Sequence, residues 1–272
     1  LGQIELSHVI DWYERYLGGE TLIHAGCGDL SAERMSAFIA GTVGQLGPAQ
    51  VPTVEIPVAR PIGGNHVTLV DKPGRSQTQV FMGQPTLQAT HPDYIPLMVG
   101  NTIFGGTFTA RLSHEIREKR GWSYGVSSSV AADRHVGSFT MRFYPANDQT
   151  VPAIRLADAM YQSFVSAGVS IVELEAAKRY LVQSHPLSIE TPERELYHRM
   201  NLRLLGRDDA WLDGFTERIS SVTLEGIGNA LRRHLDPDRM LTTVVCTAAD
   251  LQDAIETWDR PTATRVVAYD SI

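Results

Sequence analysis

Apolar positions change their period along the chain, and each change marks an element. Val9, Ile10, Tyr13, Tyr16 and Leu17 recur at helical spacing and predict a helix over Leu6–Leu17. Gly18-Gly19 stop it, and Thr21–Cys27 reads as a strand. Met35, Phe38, Ile39 and Val43 share one side of a second helix over Ser31–Val43. Alternation then predicts strands at His66–Asp71 and Gln77–Gln84, with a helix from Pro92 to Ile103 that is apolar on most faces and therefore central. Further strands are expected at Trp122–Val130 and His135–Tyr144, paired as a hairpin. Helices are expected at Gln149–Ala167, Val169–Ser184 and Thr191–Leu205, with Pro186 separating the last two, and at Ala210–Ser220. The chain closes with a helix at Leu224–Leu235, a strand at Met240–Thr247, a short helix at Ala248–Thr257 and a strand at Thr264–Ala268.

Strands and helices that arrive in blocks predict an α+β fold with a largely antiparallel sheet backed by helices. One repeat is visible. Leu-x-x-Val-x-x-x-Tyr-x-Arg-Tyr-Leu at 6–17 parallels Leu-x-x-Ile-x-x-x-Leu-x-Arg-His-Leu at 224–235, and each leads through a turn to an apolar run ending near a cysteine. The repeat implies tandem domains. Residues 1–45 are then the closing helix–strand–helix of a truncated N-terminal domain, 46–65 a linker, and 66–272 a complete C-terminal domain. Gly47-Pro48, Pro52, Pro57, Pro61 and Gly63-Gly64 punctuate that linker. The chain opens on Leu1 rather than Met, as expected of a processed or trimmed product.

Composition narrows the classes. At 272 residues the chain can bury a sizeable core. A formal charge of -7, with basic residues dispersed, disfavours nucleic acid as a partner. No apolar run reaches membrane-spanning length. Cys27 and Cys246 lie in apolar runs and are expected as buried free thiols. The compartment stays open.

The chemistry concentrates between Phe104 and Tyr124. Gly105-Gly106 open a turn, a helix follows with Ala110, Leu112 and Ile116 on its apolar stripe, and Gly121 is placed to cap it. Arg117 near the helix end and Tyr124 on the returning strand could point at one substrate carbonyl. The run Arg117-Glu118-Lys119-Arg120-Gly121-Trp122-Ser123-Tyr124, preceded by Gly105-Gly106 and Ala110-Arg111-Leu112, resembles the C-terminal half-domain of the pitrilysin/insulinase zinc metallopeptidases. The resemblance implies two similar α+β domains in tandem. It also implies that Arg117 and Tyr124 face a zinc site carried by the other half, with the offset of seven selecting Arg117 over Arg111 and Arg120. Gly105, Gly106, Thr107 and Phe108 are candidates to hold an extended peptide, because glycine admits a second backbone. Trp122–Val130 could offer a sheet edge to it.

No His-x-x-Glu-His occurs in the sequence. His114-Glu115-Ile116-Arg117-Glu118 has the opening of a zinc motif, but a glutamate stands where the second histidine belongs, and Arg117 and Arg120 would repel a cation. The remaining histidines are scattered singly. The chain itself is therefore expected to bind no metal, and zinc belongs to the assembled enzyme. No Gly-x-Ser-x-Gly or phosphate-binding loop is present. The expected function is the non-zinc half of a zinc endopeptidase, inactive alone and paired as a dimer with a zinc-bearing subunit or an upstream domain. The alternative is a non-catalytic assembly subunit of the same fold.

Overall fold

The computed structural model describes residues 2–51, 56–57, 59 and 62–271. These divide into two compact units, 1–57 with 186–204, and 58–185 with 205–272. Much of the expected linker lies outside the described residues.

The larger unit holds a six-stranded sheet. Its strands are β1 (His66–Asp71), β2 (Gln79–Thr86), β3 (Val126–Ala131), β4 (Gly137–Phe143), β5 (Leu241–Cys246) and β6 (Ala263–Ala268), in the order β3-β4-β2-β5-β1-β6. The β3–β4, β4–β2 and β2–β5 pairs are antiparallel, whereas β5–β1 and β1–β6 are parallel. The sheet is thus mostly antiparallel, as expected, with a parallel end. Strand β3 is one edge of the sheet, laddered with β4.

Alternation along β2, β4 and β5 explains why helices cover one face. Val80 and Met82, then Phe139, Met141 and Phe143, then Val244 and Cys246 are fully buried, while Phe81, Thr140 and Thr243 between them face outward. Onto the buried face pack α3 (Tyr94–Phe104), α5 (Thr150–Ala167), α10 (Leu224–His234) and α11 (Ala248–Glu256). Phe104 stacks on Phe164 at 4.5 Å between centroids, and Phe139 on Tyr161 at 5.1 Å. The Tyr161 hydroxyl accepts from Gln84 at 2.8 Å, so its one polar atom is satisfied.

The smaller unit carries α1 (Leu6–Tyr16), α2 (Ala32–Gly41) and α7 (Pro192–Leu204). The two helices of the repeat match in length and in their ends. Helices α1 and α10 both have 11 residues. Each ends on an extended leucine, Leu17 or Leu235, whose N–H returns to the carbonyl four residues earlier. The copies differ in burial, since α10 buries Ile227, Ala230 and Leu231, whereas α1 buries nothing. The strand expected at Thr21–Cys27 does not form: Thr21 closes a 3₁₀ turn, and the residues after it join no ladder among the described residues, a ladder needing two strands. Cys27 is accordingly exposed, contrary to expectation, whereas Cys246 is buried in β5.

Three further elements depart from expectation. Helix α6 (Ile171–Ser188) runs through Pro186 and ends two residues later. So close to the C-terminus the proline ring disturbs only the final turn. The stretch 210–220 breaks at Gly214 into α8 (Ala210–Asp213) and α9 (Phe215–Ser220). The helix after the glycine pair begins as α4 (Arg111–Ser113) and widens into a π-turn, His114–Glu118.

Candidate functional site

Helix α3 ends against β3, and that contact explains the glycine pair. A Cβ on Gly105 would lie 2.4 Å from Ser128 Oγ and 2.8 Å from Ser128 N. One on Gly106 would lie 2.9 Å from Thr102 Cα. The space is filled by hydrogen bonds: Ser128 N–H donates to Gly105 O at 2.9 Å, and the Asn101 amide brackets Ser128 O and Oγ at 3.2 and 2.7 Å. Gly105 is therefore buried under β3, and Gly106, Thr107 and Phe108 lead away from it with Phe108 exposed.

The next turn sets the phase of the helix. Lys119 N–H reaches back five residues to His114 O at 3.0 Å, the mark of a π-turn. Leu112 and Ile116 remain fully buried through it. The helix then closes in an αL cap with a wider bond beside it. Gly121, at φ +65°, donates to Arg117 O, and Trp122 donates to Ile116 O, each at 3.0 Å. The left-handed backbone there is why a glycine is needed.

After this cap the chain does not enter the sheet at once. Strand β3 starts at Val126, so Tyr124, expected on a strand, lies in the loop before it. Ser123 anchors that loop, donating to Gly125 O and accepting from Tyr144 N–H, both at 2.8 Å. With Ser123 turned inward and buried, Tyr124 points out and is 84% exposed. It is no core aromatic.

Arg117 and Tyr124 do meet. The Arg117 guanidinium carbon sits 3.5 Å from the Phe108 ring centroid and 4.6 Å from that of Tyr124. Stacking holds a guanidinium by its face and leaves its N–H edge able to donate. The three candidate arginines now separate. Arg111 is bound bidentately to Glu173 at 2.6 and 2.7 Å and also reaches Gly168 O. Arg120 is spent on the Glu115 carboxylate and carbonyl at 2.6 and 2.9 Å. Arg117 has only a loose pair with Glu118, 3.5 Å from Nε, among the described residues. So Phe108, Arg117 and Tyr124 form one surface cluster of two exposed rings around a half-buried, largely uncommitted cation. Beside it opens a cavity of about 490 Å³ lined by Ile103, Thr107, Phe108, His114, Ala177 and Tyr180.

His114 and Glu118 gain no third metal ligand among the described residues. The set needed for catalytic zinc, three protein donors and an open position, does not fit this cluster.

The fold and cluster define a class: a mixed α/β half-domain that offers an arginine and a tyrosine but no zinc motif. The chain belongs to the family described as Peptidase M16 inactive domain, whose profile matches residues 3–181. This is the pitrilysin/insulinase group that the 104–124 stretch resembles. A relative from Bacillus subtilis, called uncharacterized zinc protease YmxG, is 23% identical over 65% of this chain and 43% of its own length. A Helicobacter pylori relative, called non-peptidase homolog YmxG, is 25% identical over 62% of this chain and 39% of its own. The crystal structure of a peptidase M16 inactive domain from Pseudomonas fluorescens superposes with a TM-score of 0.79 at 24% identity, covering 98% of this chain and 59% of that one. The chain thus spans under half the length of these curated relatives. Among the described residues, no helix is long and apolar enough to cross a membrane.

Proposed function

We propose that this chain is the non-zinc half of a zinc endopeptidase, presenting Arg117 and Tyr124 to a peptide bond cleaved at a zinc site on a partner subunit or upstream domain. The observation that carries the reading is the state of Arg117: of the three arginines between 111 and 120 it alone keeps its donors largely free, and it keeps them beside an exposed phenol. Zinc held outside this chain would supply an activated water. Attack by that water would place negative charge on the scissile carbonyl oxygen. A permanent cation and an O–H donor already in place stabilise that charge without reorganising.

Substrate would lie along Gly105, Gly106, Thr107 and Phe108; the outer edge of β3 is not open to it at Ser128, whose N–H and O are taken by Gly105 and Asn101. The buried position of Gly105 makes it a packing residue first, so Thr107 and Phe108 are the side chains that would touch peptide. Zinc-bearing half and Arg/Tyr half would close as a dimer or as two domains of one longer chain, with 1–45 completing the upstream domain.

In the assembled enzyme, Arg117→Ala and Tyr124→Phe should each lower kcat by roughly 10²-fold while thermal stability stays near wild type. A second reading, a non-catalytic assembly subunit, is favoured by the name of the Helicobacter pylori relative. Unchanged turnover in both variants would move the assignment to that reading.

A further inference from the structure

Outside this cluster, among the described residues, the fold gathers one set of metal-ligating side chains, joining His91 and Asp93 to His234, which lies 141 positions beyond Asp93. His91 and Asp93 precede and cap α3, and His234 is the last residue of α10. One ligand atom from each lies within 4.8 Å of the others. His234 Nε2 is 2.8 Å from Asp93 Oδ2, and His91 Nδ1 is 4.0 Å from the same oxygen. The two imidazoles meet edge-on, 4.6 Å between centroids at 77°. We propose that His91, Asp93 and His234 form a binding site for a late first-row divalent cation such as zinc or nickel, separate from the zinc of catalysis.

The donor set fits that class. Two imidazoles and one carboxylate suit zinc, nickel, copper or cobalt and not magnesium or calcium, which prefer oxygen alone. Donors around a tetrahedral zinc lie ~3.3 Å apart, given bonds of ~2.0–2.1 Å. Relative to Asp93 Oδ2, His234 Nε2 therefore has to move out by ~0.5 Å and His91 Nδ1 in by ~0.7 Å, and the two imidazole nitrogens, within 4.8 Å of each other, have to draw together as well. His91 Nδ1 accepts the Asp93 backbone N–H at 3.0 Å, so its lone pair is engaged in the metal-free chain and a bound ion would displace this hydrogen bond. Asp93 Oδ2 lies 2.8 Å from His234 Nε2 and accepts from Arg233 Nη1 at 2.6 Å, which fixes the carboxylate at the centre of the cluster. The two platforms are rigid, because α3 and α10 are packed through Ile95, Val99, Ile227 and Leu231. The three side chains are only 13–32% exposed, so an ion there would be partly shielded from water.

One group competes. Arg233 Nη1 lies 2.6 Å from Asp93 Oδ2, and its side chain is 61% exposed. In the metal-free chain this cation neutralises Asp93, and on metal binding its long side chain can swing into solvent. The competition gives a prediction of unusual sign. Arg233→Gln should loosen the metal-free contact between the two helices and yet tighten the metal. A plain ion-pair clasp has no such inversion. The site also means that zinc found on this chain is not in itself a sign of peptidase activity.

The test uses the 272-residue chain, stripped with chelator and free of any histidine tag. Titration with zinc should show one equivalent binding. Cobalt should give the visible d–d absorption of a site with fewer than six ligands, and magnesium should give no heat. His91→Gln and His234→Gln, which keep an amide able to donate to Asp93, should each weaken zinc at least tenfold. His114→Gln should not, and Arg233→Gln should strengthen binding severalfold. Circular dichroism in chelator confirms that each variant is folded. Equal zinc affinity in the His91→Gln/His234→Gln double variant and the wild type would overturn the proposal, as would weaker binding in Arg233→Gln.

Discussion

Glu173 allows a quantitative test of how the site-bearing helix is held. Ser170 and Glu173 form a capping box at the start of α6. Glu173 accepts from Ser170 N–H at 2.8 Å and from its hydroxyl at 2.7 Å, while Glu173 N–H donates to Ser170 Oγ at 3.3 Å. The same carboxylate takes the bidentate grip of Arg111, at the start of α4. The Arg111 hydrogen bonds, opposed by partial burial and aided by Ser170, hold the carboxyl down from 4.5 to about 2. At 1.36 kcal/mol per pKa unit this is worth at most ~3 kcal/mol. Because the side chain is 32% exposed, screening brings the expected value to ~1–2 kcal/mol. A depressed folded pKa stabilises above the unfolded value and loses that contribution as pH falls toward the folded one. Glu173→Gln keeps an acceptor for the cap and removes the charge. Urea unfolding, followed by tryptophan fluorescence, should place the variant ~1–2 kcal/mol below wild type from pH 7 down to about 5.5. The gap should shrink by about a quarter to a half by pH 4. A gap that stays constant down to pH 3.5, or is absent at pH 7, would refute the argument.

The remaining tests probe other contacts. Arg260 reaches Asp158 at 3.1 Å, and Asp158 is 3% exposed with its pKa raised by burial despite that partner. Arg260→Ala should therefore cost ~3–5 kcal/mol at pH 7, and chemical denaturation at pH 4.5 should show a smaller loss, because protonation then removes the buried charge. Gly105→Ala drives a Cβ into the Ser128 backbone and should cost ~1–3 kcal/mol in a thermal melt. Native alkylation with iodoacetamide at pH 8 should label exposed Cys27 and spare Cys246, which is buried with its thiol pushed up to about 11. Mass spectrometry should find both labelled only after unfolding.

Much of this molecule is written locally. Helical periodicity places α1, α5 and α10, and alternation places β2, β4 and β5, because side-chain spacing along one element decides which face it buries. The glycine at 121 announces its own left-handed cap, and the repeated Leu-to-Leu plan at 6–17 and 224–235 foretells two helices of equal length with matching ends. Partnership is not local. Nothing in Thr21–Cys27 says whether a neighbouring strand is present, and without one that apolar run forms no ladder. The π-turn leaves no trace in a pattern where Leu112 and Ile116 are already four apart. Which arginine stays free depends on where Glu173 lies, 62 residues on, and on the turn that brings Phe108 and Tyr124 to Arg117. His91 and His234 stand alone in the sequence and touch only because α3 and α10 pack side by side. Periodicity thus determines which surfaces each element hides. Distance in space, set by packing of the whole core, decides which charges are paired, which stay available and which could share an ion.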